Sequence, residues 1–319
     1  MSVLIFSEAD DRTTSEVMQW LKRWGVACTR IDKEDEVQIV QLSLHERVAL
    51  IRVNGQLVDL HRYSAIWHRR GYLRAPDMQS ALQATWERYE LPLEGFLERE
   101  WRTLRDYLMQ VAHPTKQLGS FDASSVNKLR VLDLAVQCGL QTPKTHVSQC
   151  AEQLKKIVSL QAYITKPIGE VFAYRANGAM FQSYTRLCGD EDIDSSLQFP
   201  MLVQERVEKW IELRIFILVN KCYAMAIFPK NGVQAAVDYR CCLQNERPRM
   251  VPFDLPEEIS NKLLMLNSKL GINTSSIDMI VTPDLQYVFL EVNPVGNIEM
   301  LSKPCNYPIE REIARYLAK

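Results

Sequence analysis

Residues Ser276 to Asn293, S-I-D-M-I-V-T-P-D-L-Q-Y-V-F-L-E-V-N, constrain the fold more than any other stretch. Two apolar, β-branched runs flank Thr282-Pro283-Asp284, a turn signal, and predict a β-hairpin. Strand alternation puts Glu291 and Asn293 on one face and Val292 on the other. With Asp284 and Leu285 as a two-residue loop, Asp278 lies directly opposite Glu291. Side chains so paired stand about 5 Å apart, and two carboxylates there repel unless a cation joins them. Carboxylate and amide oxygens suit Mg²⁺, which keeps other positions for phosphate oxygens and water. The competing reading is a rim of solvated polar side chains at a hairpin end. A loop longer by one residue turns the carboxylates to opposite faces, so the metal reading depends on the register.

A hairpin of this kind needs a core beneath it. At 319 residues the chain buries roughly three quarters of its unfolded surface and has room for two or three domains. The formal net charge of −1 provides no global field for nucleic acid or an anionic membrane, so phosphate binding must come from locally placed Lys and Arg. No apolar run approaches a membrane span, and the start, M-S-V-L-I-F-S, is a short strand with no basic n-region; a cytoplasmic protein is expected, with neither nucleic acid nor membrane as partner. The cysteines (28, 138, 150, 188, 222, 241, 242, 305) are scattered without a C-x-x-C pair and read as reduced thiols acting as small hydrophobes, Cys241-Cys242 being the pair to watch.

Val3 to Phe6, a helix capped by Thr14 and ended by Gly25, and Val26 to Ile31 make a β-α-β unit. Val37 to Leu42 and Val48 to Val53 are strands, and Asn54-Gly55 is a hairpin turn into Gln56 to Leu60. Ala65-Ile66-Trp67 is a further strand, and the His68-Arg69-Arg70 triplet after it reads either as a solvated loop or as a face for phosphate or an acidic peptide. Asp77 to Val111 is helical, interrupted at Pro92. Ser124 or Ser125 caps a helix through Val136 that Gly139 stops, with Lys128 in its first turn, where the helix dipole disfavours a cation. That misplacement points to a ligand.

Ala162 to Ile168 is a strand whose Lys166 either snorkels or hangs over a cleft. Arg175 to Gly178 is a hairpin tip too poor in glycine for a P-loop. Phe199 to Val207, Ile211 to Val219 and Cys222 to Phe228 are strands; on the second, Glu212 and Arg214 share a face and can pair with each other. Pro256 opens a helix that Gly271 ends.

Lys128, Lys166-Pro167, Gln204-Glu205-Arg206-Val207, Glu212-Leu213-Arg214, Asp278 and Glu291-Val292-Asn293 occur in an order and spacing that resembles the ATP-grasp ligases. The resemblance covers about Pro114 to the C-terminus, and the N-terminal α/β unit looks like the domain that precedes the grasp in that superfamily. Ala65 to Arg70, Asn127-Lys128-Leu129-Arg130 and F-L-E-V-N-P-V-G-N followed by Pro304-Cys305-Asn306-Tyr307 narrow it to ATP-grasp peptide maturases. These are the graspetide (microviridin-type) synthetases and, most similar, the grasp-with-SPASM type.

The resemblance implies an α/β (α+β) chain with the ATP-grasp fold: a pre-ATP-grasp domain at 1–112, a central subdomain at 113–200 and a C-terminal subdomain at 201–319. It implies that Lys128 and Lys166 hold ATP phosphates, that Glu205 and Val207 meet adenine, and that Glu212 meets the ribose hydroxyls. Asp278, Glu291 and Asn293 then hold Mg²⁺, while Arg214 and Arg240 neutralise the transferring phosphoryl. The implied activity is ATP-dependent activation of Asp or Glu side chains of a ribosomal precursor peptide (leader and core) and their ligation to Ser or Thr hydroxyls or Lys amines. A radical SAM/SPASM maturase of the same system and a homodimer partner belong to the same expectation. Two rivals remain: a ligase joining a free amino acid or small metabolite to a carboxylate, and a non-catalytic nucleotide-binding scaffold. No general base stands out, since His68 and His146 read as structural.

Overall fold

The apolar run at the start of the chain becomes a buried strand because it is flanked on both sides by elements that cover it. The computed structural model describes residues 1–76, 94–111, 116–123, 125–169, 173–176, 179–182, 185–196, 198–228 and 248–319. Its first part comprises β1 (Ser2–Ser7), α1 (Arg12–Arg23), β2 (Ala27–Asp32), β3 (Val37–Ser43), β4 (Val48–Val53), β5 (Gln56–Asp59) and β6 (Ala65–His68). Then come α2 (Glu94–Val111) and β7 (Lys116–Leu118). β2, β1, β6 and β7 pair in that order as a parallel sheet, as the β-α-β reading requires, and β3, β4 and β5 form an antiparallel meander. The α1 cap is Asp11, whose carboxylate accepts from the Thr14 backbone N–H at 2.8 Å; Thr14 is the recipient of the cap, not the cap itself. Pro92 lies outside the described residues.

The second part runs α3 (Lys128–Gln137), β8 (Thr145–Ser148), α4 (Ala151–Val158), β9 (Tyr163–Thr165), β10 (Ala173–Ala176), β11 (Ala179–Gln182), β12 (Arg186–Cys188) and β13 (Met201–Glu205). Asn127 caps α3, accepting from the backbone of Leu129 and Arg130, in place of either serine upstream. Its side chain reaches the first free N–H groups of the helix directly, and Ser124 lies outside the described residues. β12, β9, β13 and β8 form an antiparallel sheet, and β10 pairs with β11 as the expected hairpin, with Arg175 and Ala176 paired in β10 and Asn177 and Gly178 outside the described residues.

The third part holds β14 (Ile211–Leu218), β15 (Lys221–Phe228), β16 (Arg249–Phe253), α5 (Glu257–Lys269), β17 (Thr274–Val281), β18 (Tyr287–Asn293), α6 (Glu299–Cys305) and α7 (Ile309–Leu317). Its strands make an antiparallel sheet of order β16-β15-β14-β17-β18. Ile211, Leu213, Ile215 and Ile217 face one way and pack with Ile277, Met279, Phe289 and Val292 against Val131 and Ala135 of α3 and Leu263 and Leu266 of α5. Each such fully buried side chain stabilises the fold by about 1.5–3 kcal/mol. On the opposite face Phe216, Leu218, Met225 and Ile227 join Ile5, Trp67 and Leu118 of the N-terminal sheet and Leu301 and Ile313 of the last two helices in one core. The remainder of that face carries the polar residues of interest.

The hairpin loop is one residue longer than the sequence suggests. Thr282 pairs with Gln286, leaving Pro283, Asp284 and Leu285 as the loop, and Leu285 takes the left-handed conformation (φ 61°) that a three-residue hairpin needs. Left alone, that register would turn Glu291 into the core. Pairing is Met279↔Phe289 near the loop but Asp278↔Glu291 beyond it, so a β-bulge at Leu290 restores the facing carboxylates. The side chains confirm the change of phase: Phe289 and Val292 both face the core although they are three apart, and Glu291 and Asn293 face away.

Among the described residues no helix is long and apolar enough to cross a membrane.

Candidate functional site

The five-stranded sheet gathers the site because neighbouring strands place paired residues on one face. Arg214 of β14 pairs with Asp278 of β17, Asp278 with Glu291 of β18, and Ser276 with Asn293. Glu212, Arg214, Asp278, Glu291 and Asn293 therefore lie side by side across three adjacent strands. Arg214 grips Asp278 with both arms, Nε to Oδ1 at 2.8 Å and Nη2 to Oδ2 at 2.9 Å, and its Nη1 reaches Met300 Sδ at 3.2 Å. A planar guanidinium matches a carboxylate in this way and orients it. The expected pairing of Glu212 with Arg214 is not made: Glu212 takes Lys209 Nζ at 3.0 Å, and Lys209 is only 5% exposed. Separate partners on the two sides free each residue of the other.

Burial pushes the Asp278 carboxyl up to about 6; Glu291 and Glu212 add to the rise and Arg214 opposes it. Glu291 Oε1 accepts from the Asn293 amide at 3.3 Å. Lys166, immediately after β9, is drawn below the usual lysine value by burial, with Glu291 and Asp278 pulling it back and Lys128 adding to the fall. Lys128, Lys166, Pro167, Leu202, Leu290 and Glu291 line one narrow cleft between the sheets. Lys166, after β9, and Lys128, at the start of α3, thus line the same cleft.

Glu205 ends β13, where its Oε2 accepts from the Lys144 backbone N–H at 3.2 Å and its own N–H donates to the Lys144 carbonyl at 2.8 Å. Arg206 N–H donates to the Ala162 carbonyl at 2.9 Å, and half-buried Val207 follows on the strap into β14. These bonds fix the crossing between the β9–β13 sheet and the five-stranded sheet. Arg240 and the Cys241-Cys242 pair lie outside the described residues. The other six cysteines are free thiols.

An oxygen donor set on one sheet face suits a hard cation such as Mg²⁺. Each Asp278 oxygen, though engaged by Arg214, keeps a second lone pair. Among the described residues no three His, Cys, Asp or Glu cluster to hold a metal.

The basic triplet after β6 is not a solvated loop. Arg69 is 5% exposed, its Nε 3.0 Å from Asp11 Oδ2, and Arg70 Nη1 donates to Glu8 Oε1 at 2.6 Å. Asp11, Lys209 and Met300 were not singled out from the sequence, because each partner is distant in the chain or lacks a motif around it.

No family model and no curated protein matches the sequence. Solved structures do. The macrocyclase MdnC of Microcystis aeruginosa MRC, bound with precursor peptide MdnA, is 28% identical over 100% of this chain and 99% of its own, with a TM-score of 0.81. The chain has the ATP-grasp fold. The chain is also similar to the ATP-grasp ligase PsnB complexed with minimal precursor, Mg and ADP, at 20% identity and a TM-score of 0.71 over 99% of this chain and 96% of that one. D-alanyl-alanine synthetase A of Vibrio cholerae O1 biovar eltor shares the fold more distantly, with 12% identity and a TM-score of 0.60 over 99% of this chain and 96% of the synthetase.

Proposed function

We propose that the chain activates Asp or Glu side chains of a ribosomal precursor peptide as acyl phosphates and joins them to Ser or Thr hydroxyls or Lys amines, closing ester or amide rings. The observation that carries this reading is the likeness of the whole chain, N-terminal sheet included, to a precursor-bound macrocyclase. An ATP site alone serves a small-molecule ligase equally well, and the likeness to such an enzyme is weaker. In this reading residues 1–112, 113–200 and 201–319 are the preceding domain and the two grasp subdomains.

Lys128 and Lys166 hold the ATP phosphates across the cleft they line. The strap at Glu205 and Val207 meets adenine, and Glu212, held still by Lys209, meets the ribose. Asp278, Glu291 and Asn293 hold Mg²⁺, which when bound offsets charge on the phosphate oxygens. Arg214, with Arg240 as its counterpart, orients Asp278 and faces the transferring phosphoryl. A substrate carboxylate oxygen attacks the γ-phosphorus and ADP departs. The peptide hydroxyl or amine then attacks the acyl carbon, loses its proton, and phosphate leaves with the C–O bonding pair. Positioning and fixed charge drive both steps.

A leader and core as substrate, a radical SAM/SPASM maturase from the same system, a homodimeric assembly and a cytoplasmic setting complete the proposal. The free thiols agree with a reducing compartment.

The test is incubation with ATP, Mg²⁺ and the precursor peptide encoded beside the gene, followed by mass spectrometry. Loss of one water per ring is expected. No loss, with ADP formed only on small amino acids, favours the small-molecule ligase, and no ADP with any substrate favours the scaffold. Lys166→Met removes a charged hydrogen-bond donor and is expected to raise KM for ATP by roughly tenfold to a hundredfold, read from ADP formation against ATP concentration. The melting temperature is expected to hold, since burial already disfavours this ammonium.

A further inference from the structure

The basic triplet left over from the sequence acts on the site from outside it. The Arg69 guanidinium is tied at two points: Nε stands 3.0 Å from Asp11 Oδ2, both side chains being almost wholly buried, and Nη1 donates to the Gly296 carbonyl at 2.7 Å. Asp11 is itself immobilised, because its other oxygen caps α1 through the Thr14 N–H at 2.8 Å. Gly296 follows Asn293 by three residues, in the turn between β18 and α6. A Cβ at Gly296 would collide with the side chain of Ser276, the residue paired with Asn293, so the turn is pressed flat against the strand that carries Asp278.

We infer that Arg69 is a positioning residue that sets the place of Asn293 and Glu291 by fixing the turn beyond them. The residue never reaches the cleft. It transmits the rigid α1 cap of the N-terminal sheet into the end of the metal-holding strand, across a chain separation of 227 residues. Partners that orient a metal's ligands carry part of its affinity, typically tenfold to a hundredfold on removal. The Nε contact with Asp11 is an ion pair without hydrogen-bond alignment at that nitrogen, while Nη1 makes a directional bond to Gly296. The inference rests on Asp278, Glu291 and Asn293 being the cation site.

The experiment titrates Mn²⁺, a spectroscopic substitute for Mg²⁺, into the nucleotide-free full chain and follows the free ion by electron paramagnetic resonance. Wild type, Arg69→Gln, Arg69→Lys and Gly296→Ala are compared well below their melting temperatures. Arg69→Lys keeps a cation beside Asp11 but loses the fork, and is the variant of choice if Arg69→Gln fails to fold. Both Arg69 variants are expected to bind Mn²⁺ about tenfold more weakly. Gly296→Ala, which displaces the same turn from the other side, is expected to lose affinity in the same range. Folded Arg69 variants with wild-type Mn²⁺ affinity overturn the inference and leave the metal site standing. A wild type that binds no Mn²⁺ overturns the metal site itself. A lowered melting temperature with unchanged affinity marks Arg69 as structural only and overturns the inference.

Discussion

Glu291→Gln is expected to lower ATP-dependent turnover by about 10²–10³-fold, the usual cost of removing one fixed partner of developing charge. Stability is expected to stay within about 0.5 kcal/mol of wild type, because the substitution keeps shape and leaves an oxygen for the Asn293 amide. Glu291 is half-buried, and its counter-charges are Lys166 and the cation assigned to the site. Asp278→Asn is the less discriminating choice, since it also breaks the fork with Arg214. The check is ADP release alongside a thermal melt. Unchanged ADP release in a folded Glu291→Gln sinks the metal assignment.

Arg214→Met is expected to abolish turnover by about 10³-fold, in line with loss of an arginine from a phosphoryl-transfer site. It is also expected to cost about 3–5 kcal/mol of stability at neutral pH, because it strands a buried carboxylate. The pH dependence has a definite sign. Burial raises the folded Asp278 to about 6 from an ordinary value of 3.8, so proton uptake favours the folded chain. The stability this gives is complete below the unfolded value and is lost as pH rises through the folded one. Arg214 pulls that value down, so removing it moves the loss to higher pH. The deficit of Arg214→Met is therefore expected to be smaller near about pH 5 than near about pH 8, as measured by urea denaturation at each. Arg214→Met with Asp278→Asn is expected to recover most of the stability and none of the turnover. A deficit equal at both pH values shows that Asp278 is not the stranded charge.

Period-two alternation made the core face of β14 legible, since Ile211, Leu213, Ile215 and Ile217 announce it without help. The opposition of Asp278 and Glu291 was also legible, but by compensation: the loop has one residue more than assumed and the bulge at Leu290 cancels the difference. Nothing local marks that bulge, because Leu290 is an ordinary strand residue and no glycine signals it. The Arg214–Asp278 fork was hidden for another reason. It depends on β14 lying beside β17, and sheet order is a property of the whole chain. The contacts of Arg69 are hidden for the same reason, since its partners Asp11 and Gly296 sit at opposite ends of the sequence. Asn127, as good a cap as serine and adjacent to the first helical residue, caps α3.

The phase change at Leu290 governs which insertions and deletions the chain survives. Removing Leu290 leaves an unbroken alternation in which Phe289 and Val292 still face the core and Asp278 still faces Glu291, so a strand one residue shorter there retains both fold and turnover. Removing Val292 instead carries Asn293 into the core and empties its place in the site. Two deletions of equal length, two residues apart, are thus expected to give an active enzyme and a dead one, and length variation along this hairpin is informative only when its position relative to Leu290 is known.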